Sequence, residues 1–406
     1  MVDILAAPQQ HETESRADAG LRTLTLISVA LWVSLVHILV LPMLFPFLKA
    51  ALGVDYLQLG FALTVFAVVS ALTQAPTGYL VDHFGARKIL LIGMILGGLS
   101  LMLLALHLSY PMLVASAVLL GLANSVYHPA DYAILAAHMD EARMGRAFSI
   151  HTFAGYLGTA VTPAIVAALT TSVGGAGALV AVGAMAIVVA FSLLLFGVPE
   201  ASAKHQTADG ETPMRQSIVT PALIVLTLFF MLLGLSNAGI SSFGLVALMS
   251  GYGASFSTAN VALTAYLGAA AIGVLAGGVL ADHTKRHGQV AAVCFGINTA
   301  IVLVIALVAL PAALLMIAMT AAGFLGGVIA PSRDMLVRNA APAGAAGRAF
   351  GLVSTGFNFS GILSPVLFGW IMDENLPHWV FGLSALFMVM TVALTPFTER
   401  KPVPAA

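Results

Sequence analysis

Six ionisable side chains fall inside long apolar stretches of this 406-residue chain: His37, His128, Asp131, His151, Arg333 and Asp334. A charge at the centre of an apolar membrane helix costs about 2.5–3.5 kcal/mol on insertion scales, so such groups turn inward and carry a task. His128 and Asp131 are three residues apart and share one helical face, and His151 opens the next apolar stretch on the same side. A carboxylate and two histidines in one cluster can take up, hold and hand on a proton. Arg333 is a fixed cation, suited to an anion or to an ion pair. Asp334 stands about 100° further round the helix, away from that face, where it can anchor Arg338 or join the proton-coupling groups. His37 lies deep in the first stretch and has two readings, contact with a small solute or a hydrogen bond between helices. Tyr127, Asn237 and Asn358, with Asn124, Tyr156 and Gln74, are candidate polar lining, or links between helices worth about 1 kcal/mol each.

The elements that must position these groups follow from composition. The chain is 60% hydrophobic and 8% charged, against about 25% charged in a soluble domain. Twelve apolar stretches fill it, roughly 24–47, 57–81, 89–108, 112–137, 147–169, 176–198, 218–249, 258–281, 290–310, 312–337, 350–372 and 380–396. Each can cross about 30 Å of hydrocarbon as a helix, and the alternation of a membrane barrel is absent. The expected fold is all-α and membrane-integral, with twelve transmembrane helices in two six-helix bundles. Its parts are an N-terminal tail (1–20), a first bundle (21–198), a linker (199–216), a second bundle (217–398) and a C-terminal tail (399–406). With the N-terminus in the cytoplasm, every one of the 16 Lys and Arg residues except Lys49 and Arg333 falls in a cytoplasmic segment, as the positive-inside rule requires. The polar, partly acidic start of the chain is unlike a secretory signal. Cys294 is the single cysteine, so no intrachain disulfide is expected.

The halves repeat. Gly145-Arg146-Ala147-Phe148 followed by Thr162-Pro163 returns as Gly347-Arg348-Ala349-Phe350 followed by Ser364-Pro365, and Gly78 to His83 is echoed by Gly278 to His283. Parallel repeats related by an axis along the membrane normal place equivalent residues at equal depth on opposite sides of a central site. The offset maps Asp131 onto Arg333, an acid facing a base, and we expect the two to pair when the cytoplasmic end is closed.

Gly78-x-x-x-Asp82-His83-Phe84-Gly85-Ala86-Arg87-Lys88 resembles the loop signature of the major facilitator superfamily, with a degenerate second copy that includes Asp282. The resemblance implies a structural and gating role for Gly78, Asp82, Gly85, Arg87, Lys88 and Asp282. In physical terms Gly78 allows close helix approach, and Asp82 can meet the positive N-terminus of a helix near Gly347. Tyr127-His128-Pro129-Ala130, the Gly145 to Ile150 segment and Gly155-x-x-Gly158 are similar to the fosmidomycin-resistance branch, whose first helix carries a histidine that His37 could match. That likeness implies proton-driven export of small, often anionic compounds, and helices one, four, seven and ten lining the cavity. Thr162 stands where the antiporter signature of the fifth helix has a glycine.

No nucleotide-binding loop and no catalytic constellation of the His-Glu-x-x-His or Gly-x-Ser-x-Gly kind occurs. The expectation is a secondary transporter of the inner membrane, not an enzyme. Its energy source is a proton gradient, with no cofactor and no metal. Its partners are a small-molecule substrate, protons and lipid, with no nucleic acid, and it works as a monomer with both termini in the cytoplasm. Export by proton antiport leads; import of an organic acid by symport is the alternative.

Overall fold

The computed structural model describes residues 7–139, 144–198, 220–284, 286–341 and 346–397, without the side chains of 7–19, 145, 282 and 346–347. The expected linker (199–216), the tail at 399–406 and the side chain of Asp282 therefore lie outside the described residues. Every described element is helical, because in hydrocarbon the backbone can bond only to itself. The helices are α1 (Ala7–Met43), α2 (Phe45–Leu52), α3 (Tyr56–Phe84), α4 (Ala86–Leu106), α5 (Tyr110–His138), α6 (Met144–Leu195), α7 (Pro221–Ala238), α8 (Gly244–Tyr252), α9 (Phe256–His283), α10 (His287–Leu307), α11 (Ala312–Ala340), α12 (Ala346–Asp373) and α13 (His378–Leu394), with a π turn (Gly239–Phe243) joining α7 to α8. Helix α1 begins at Ala7, so most of the expected N-terminal tail continues the first span as helix.

Among the described residues, eleven helical stretches are long and apolar enough to cross a membrane. One of them holds two crossings. Helix α6 is 52 residues long, more than twice the roughly 20 a crossing needs. Gly174 breaks it with φ 75° and ψ 171°, a conformation glycine adopts without a Cβ penalty. The second leg returns along α1, bringing Gly175 against Phe47 and Val182 against His37. Twelve crossings result, as hydropathy predicts.

Helices α9 and α11 meet along a glycine seam. Methyl groups added at Gly273 and Gly277 would strike the carbonyl oxygens of Phe324 and Val328, and methyls at Gly323 and Gly327 would strike those of Tyr266 and Ala270. Each pair is a Gly-x-x-x-Gly, the spacing that lets two membrane helices approach backbone to backbone.

The two halves are sealed at one end and apart at the other. At the sealed end Gly60 lies against the Pro365 backbone, Gly369 against Tyr56, and Thr64 Oγ1 donates to the Ile362 carbonyl at 2.8 Å. The buried rings of Phe45, Phe243 and Phe368 stack into a plug across the halves, with centroids 5.3 Å and 6.2 Å apart. At the other end a Cβ on Gly78, Gly278 or Gly351 would meet nothing within 4 Å.

Candidate functional site

A cavity of about 250 Å³ opens within the C-terminal half, lined by α7, α9, α10, α11, α12 and α13, with Tyr156 of α6 closing it from the other half. A second cavity of about 370 Å³, between Phe148 to Tyr156 of α6 and Ala271 to Gly278 of α9, shares Tyr156 and leads toward the open end. The π turn begins two residues after Asn237. It places Gly239 against Phe368 and Ser384, and one-turn π segments often mark functional sites.

Arg333 sits in the cavity wall with its guanidinium over the rings of Phe230 and Phe357, at 4.8 Å and 5.2 Å. Its Nε donates to Asp334 Oδ1 at 2.8 Å, and the carboxylate is half-exposed. The expectation that Asp334 turns away toward Arg338 is corrected: the long arginine stem folds sideways to its neighbour. Asn237 is exposed to the cavity, and its Oδ1 accepts the Tyr266 hydroxyl at 3.0 Å, leaving its amide hydrogens as donors. Asn298 lines the same cavity, fully buried, and its Oδ1 has no hydrogen-bond partner.

The N-terminal half holds the proton cluster. Asp131 and His151 are both buried, with Oδ2 and Nε2 3.5 Å apart, and neither carboxylate oxygen has a hydrogen bond. Tyr127 is buried in the same packing layer, its hydroxyl without a partner. His128 is exposed and reaches the pair through Tyr132, whose ring lies 5.7 Å from His128 and 6.2 Å from His151. Asp131 and His151 come together, whereas His128, expected on the same helical face as Asp131, is exposed while Asp131 is buried. Asp131 points toward His151 in its own half; the pairing with Arg333 is expected of the state closed at this end, and the structure is open there.

Three further expectations are corrected. His37 is buried between α1, α4 and the second leg of α6, its Nε2 3.3 Å from the Val182 carbonyl and its Nδ1 beside Gly97, so it links helices and does not line the cavity. Asn358 is exposed and lines neither cavity, because Phe357 takes the inward position on α12. Gly78 makes no close approach. Asp82 and Lys88 are exposed, Arg87 reaches the Leu194 carbonyl at 3.5 Å, and Gly85 ends α3 with φ 97°. The loop motif therefore lies at the open end, with Arg87 held to its own half.

Asp373 escaped the sequence reading. Its carboxylate accepts the Tyr56 and Leu57 amides at 2.9 Å and 2.7 Å, and Asp55 accepts that of Gln58 at 2.7 Å. The first three orphan donors of α3 are thus satisfied, two of them from the other half. Lys49 lies 3.6 Å from Asp373 and 4.0 Å over the Tyr56 ring. The signal was present: Lys49 is the one basic residue expected outside, and Asp373 ends the eleventh apolar stretch. Asn298, a single amide inside the ninth, carried a weaker one.

Comparison with known proteins agrees with this architecture. The sequence model of the Major Facilitator Superfamily matches residues 26–250 and 224–406. The chain is similar to the fosmidomycin resistance protein of Escherichia coli K12, 28% identical over 60% of this chain and 61% of that relative's own length. It is also similar to a probable sulfoacetate transporter of Cupriavidus necator, 27% identical over 83% of this chain and 84% of the relative. Among solved structures, a bacterial homolog of the human lysosomal transporter Spinster, in an inward-facing and unoccupied conformation, superposes with a TM-score of 0.78 at 16% identity, covering 96% of this chain and 99% of that one.

Proposed function

The chain belongs to the Major Facilitator Superfamily, and on that premise we propose that it is a proton-coupled exporter moving a small organic anion across the inner membrane by alternating access. One observation carries the reading: a cavity with a fixed cation in its wall, Arg333, is open at one end of the molecule and sealed at the other. The positive-inside rule assigns the open end, with Arg87, Lys88 and Arg286, to the cytoplasm, from which an exporter loads. The similarity to the fosmidomycin resistance protein supports export, and the similarity to the probable sulfoacetate transporter supports an anion.

Asp131 and His151 supply a proton site apart from the anion site. When the cytoplasmic end closes, α5 and α11 approach, and once the anion has left outward Asp131 exchanges His151 for Arg333. A proton arriving from outside neutralises Asp131, releases Arg333 and lets the end reopen. Substrate leaves on one stroke and a proton enters on the other. Everted vesicles holding a respiration-driven acid interior test this, with a quenched dye as reporter and a panel of phosphonates, organic acids and amphiphilic drugs. We expect compound-specific dequenching that falls at least about tenfold in Asp131→Asn, a loss of at least about 1.4 kcal/mol of coupling. An Asp131→Asn protein that still couples transport to protons overturns the assignment.

A second reading, proton symport of an organic acid, has one observation behind it. The Asp334 carboxylate bonds the same guanidinium that an anion would occupy, so a carboxylate able to carry a proton stands beside the anion site and the two would travel together. Dequenching only when the compound is preloaded inside the vesicles selects this reading.

A further inference from the structure

We propose that Asn298 is a substrate-recognition residue whose carboxamide oxygen takes a hydroxyl or amino hydrogen, so that the transported anions are small and carry a hydrogen-bond donor beside the charged group. The inference rests on the anion-transport reading and narrows it.

The polar groups of the cavity explain why. Arg333 offers guanidinium hydrogens, and Asn237 offers its amide hydrogens because its oxygen is engaged by Tyr266. These groups suit the negative end of a solute. Asn298 Oδ1 is the opposite kind of group: a buried acceptor in the cavity wall, without a partner among the described residues. An orphaned buried acceptor costs about 1–3 kcal/mol, and folded proteins rarely leave one unless a ligand or water serves it. On α11 Gly326 stands nearest, where a Cβ would lie 3.8 Å from the Asn298 amide nitrogen, and Asn298 takes its place among the residues of the cavity wall.

Size adds a limit. The chamber of about 250 Å³ is smaller than the roughly 300–1,000 Å³ of drug-sized sites. Its apolar walls, Phe295, Phe357 and Leu233, fit a short carbon skeleton between the two polar ends.

Matched probes test the proposal: 3-hydroxybutyrate against butyrate, and glycolate against acetate, bound to the purified full chain in nanodiscs and followed by calorimetry and thermal shift. In wild type each hydroxy acid should bind about tenfold tighter than its partner, the worth of one buried hydrogen bond. Asn298→Leu should bring that ratio within about twofold while butyrate affinity holds, and Asn298→Thr, which keeps an acceptor oxygen, should recover part of it. Exchanging a buried polar group for an apolar one of like shape is close to neutral for folding, and an unchanged melting profile verifies it. A ratio that survives Asn298→Leu overturns the assignment, as does a wild type that binds all four acids without preference, although anion transport then stands. A wild type that binds none of them removes the anion reading and this inference with it.

Discussion

At the scale of single residues, chemistry in an apolar segment is legible where the side chain has few alternatives. Arg333 is a fixed cation with no loop to retreat to, and it lines the cavity. Asp131 and His151 meet in a buried contact of 3.5 Å across two helices, whereas the spacing of three that put His128 on the same face does not bury it. His37 was ambiguous because imidazole serves a solute and a backbone carbonyl equally well. The structure gives it the Val182 carbonyl, at 3.3 Å. We predict that His37→Ala lowers thermal stability by about 1 kcal/mol, the net worth of an interhelical bond, while the transport KM stays within about twofold. A KM that rises tenfold at unchanged stability would return His37 to the substrate path. Asn298 shows the limit of the method: one amide in an apolar run reads the same whether it faces a cavity or a neighbouring helix, and only the burial of its unpaired oxygen separates the two.

At the scale of elements, the hydropathy pattern gives twelve crossings, and Gly174 supplies the break that divides α6 between two of them. Helix pairing is partly legible. Gly273-x-x-x-Gly277 and Gly323-x-x-x-Gly327 stand in the sequence, but only the fold shows that they face each other and set the depth of Tyr266 beside Asn237. Gly327→Val should therefore abolish monodisperse protein, because a branched side chain meets the Ala270 backbone, which cannot yield. Gly278→Ala, where nothing lies within 4 Å, should leave yield and melting temperature unchanged. Equal losses in both would mean that the seam does not decide the packing. The π turn at Gly239–Phe243 was beyond sequence reading, since it depends on Gly239 seating against Phe368 and Ser384 from two other helices. Asp82 and Lys88 stand exposed at the open end, so their packing here carries no trace of the gating role that the loop motif implies.

At the scale of the whole molecule, alternating access requires that each end close by contacts strong enough to hold and weak enough to release. The sealed end meets that requirement with a joint of a particular kind. Asp373 of α12 caps the first two amides of α3 across the halves, and Lys49 approaches the same carboxylate. A carboxylate at a helix N-terminus contributes about 0.3–1 kcal/mol when exposed and up to about 2 kcal/mol when partly buried. That upper value corresponds to about a thirtyfold change in population between two states, enough to bias the equilibrium without locking it. The aromatic plug of Phe45, Phe243 and Phe368 excludes solvent but carries no charge, so it opens and closes with the joint. Replacing Asp373 by Asn keeps the shape and removes the charge. We predict that Asp373→Asn shifts the population toward the state open at this end. The readout is a cysteine placed at Ser250, beside Asp373 in a small cavity, in a Cys294→Ala background. Its labelling by a membrane-impermeant maleimide should quicken several-fold. Lys49→Met should act in the same direction and more weakly, because Lys49 is partly exposed and the two helix amides still hold the carboxylate. Labelling that stays at the wild-type rate in Asp373→Asn would leave closure to the plug and the glycine contacts alone.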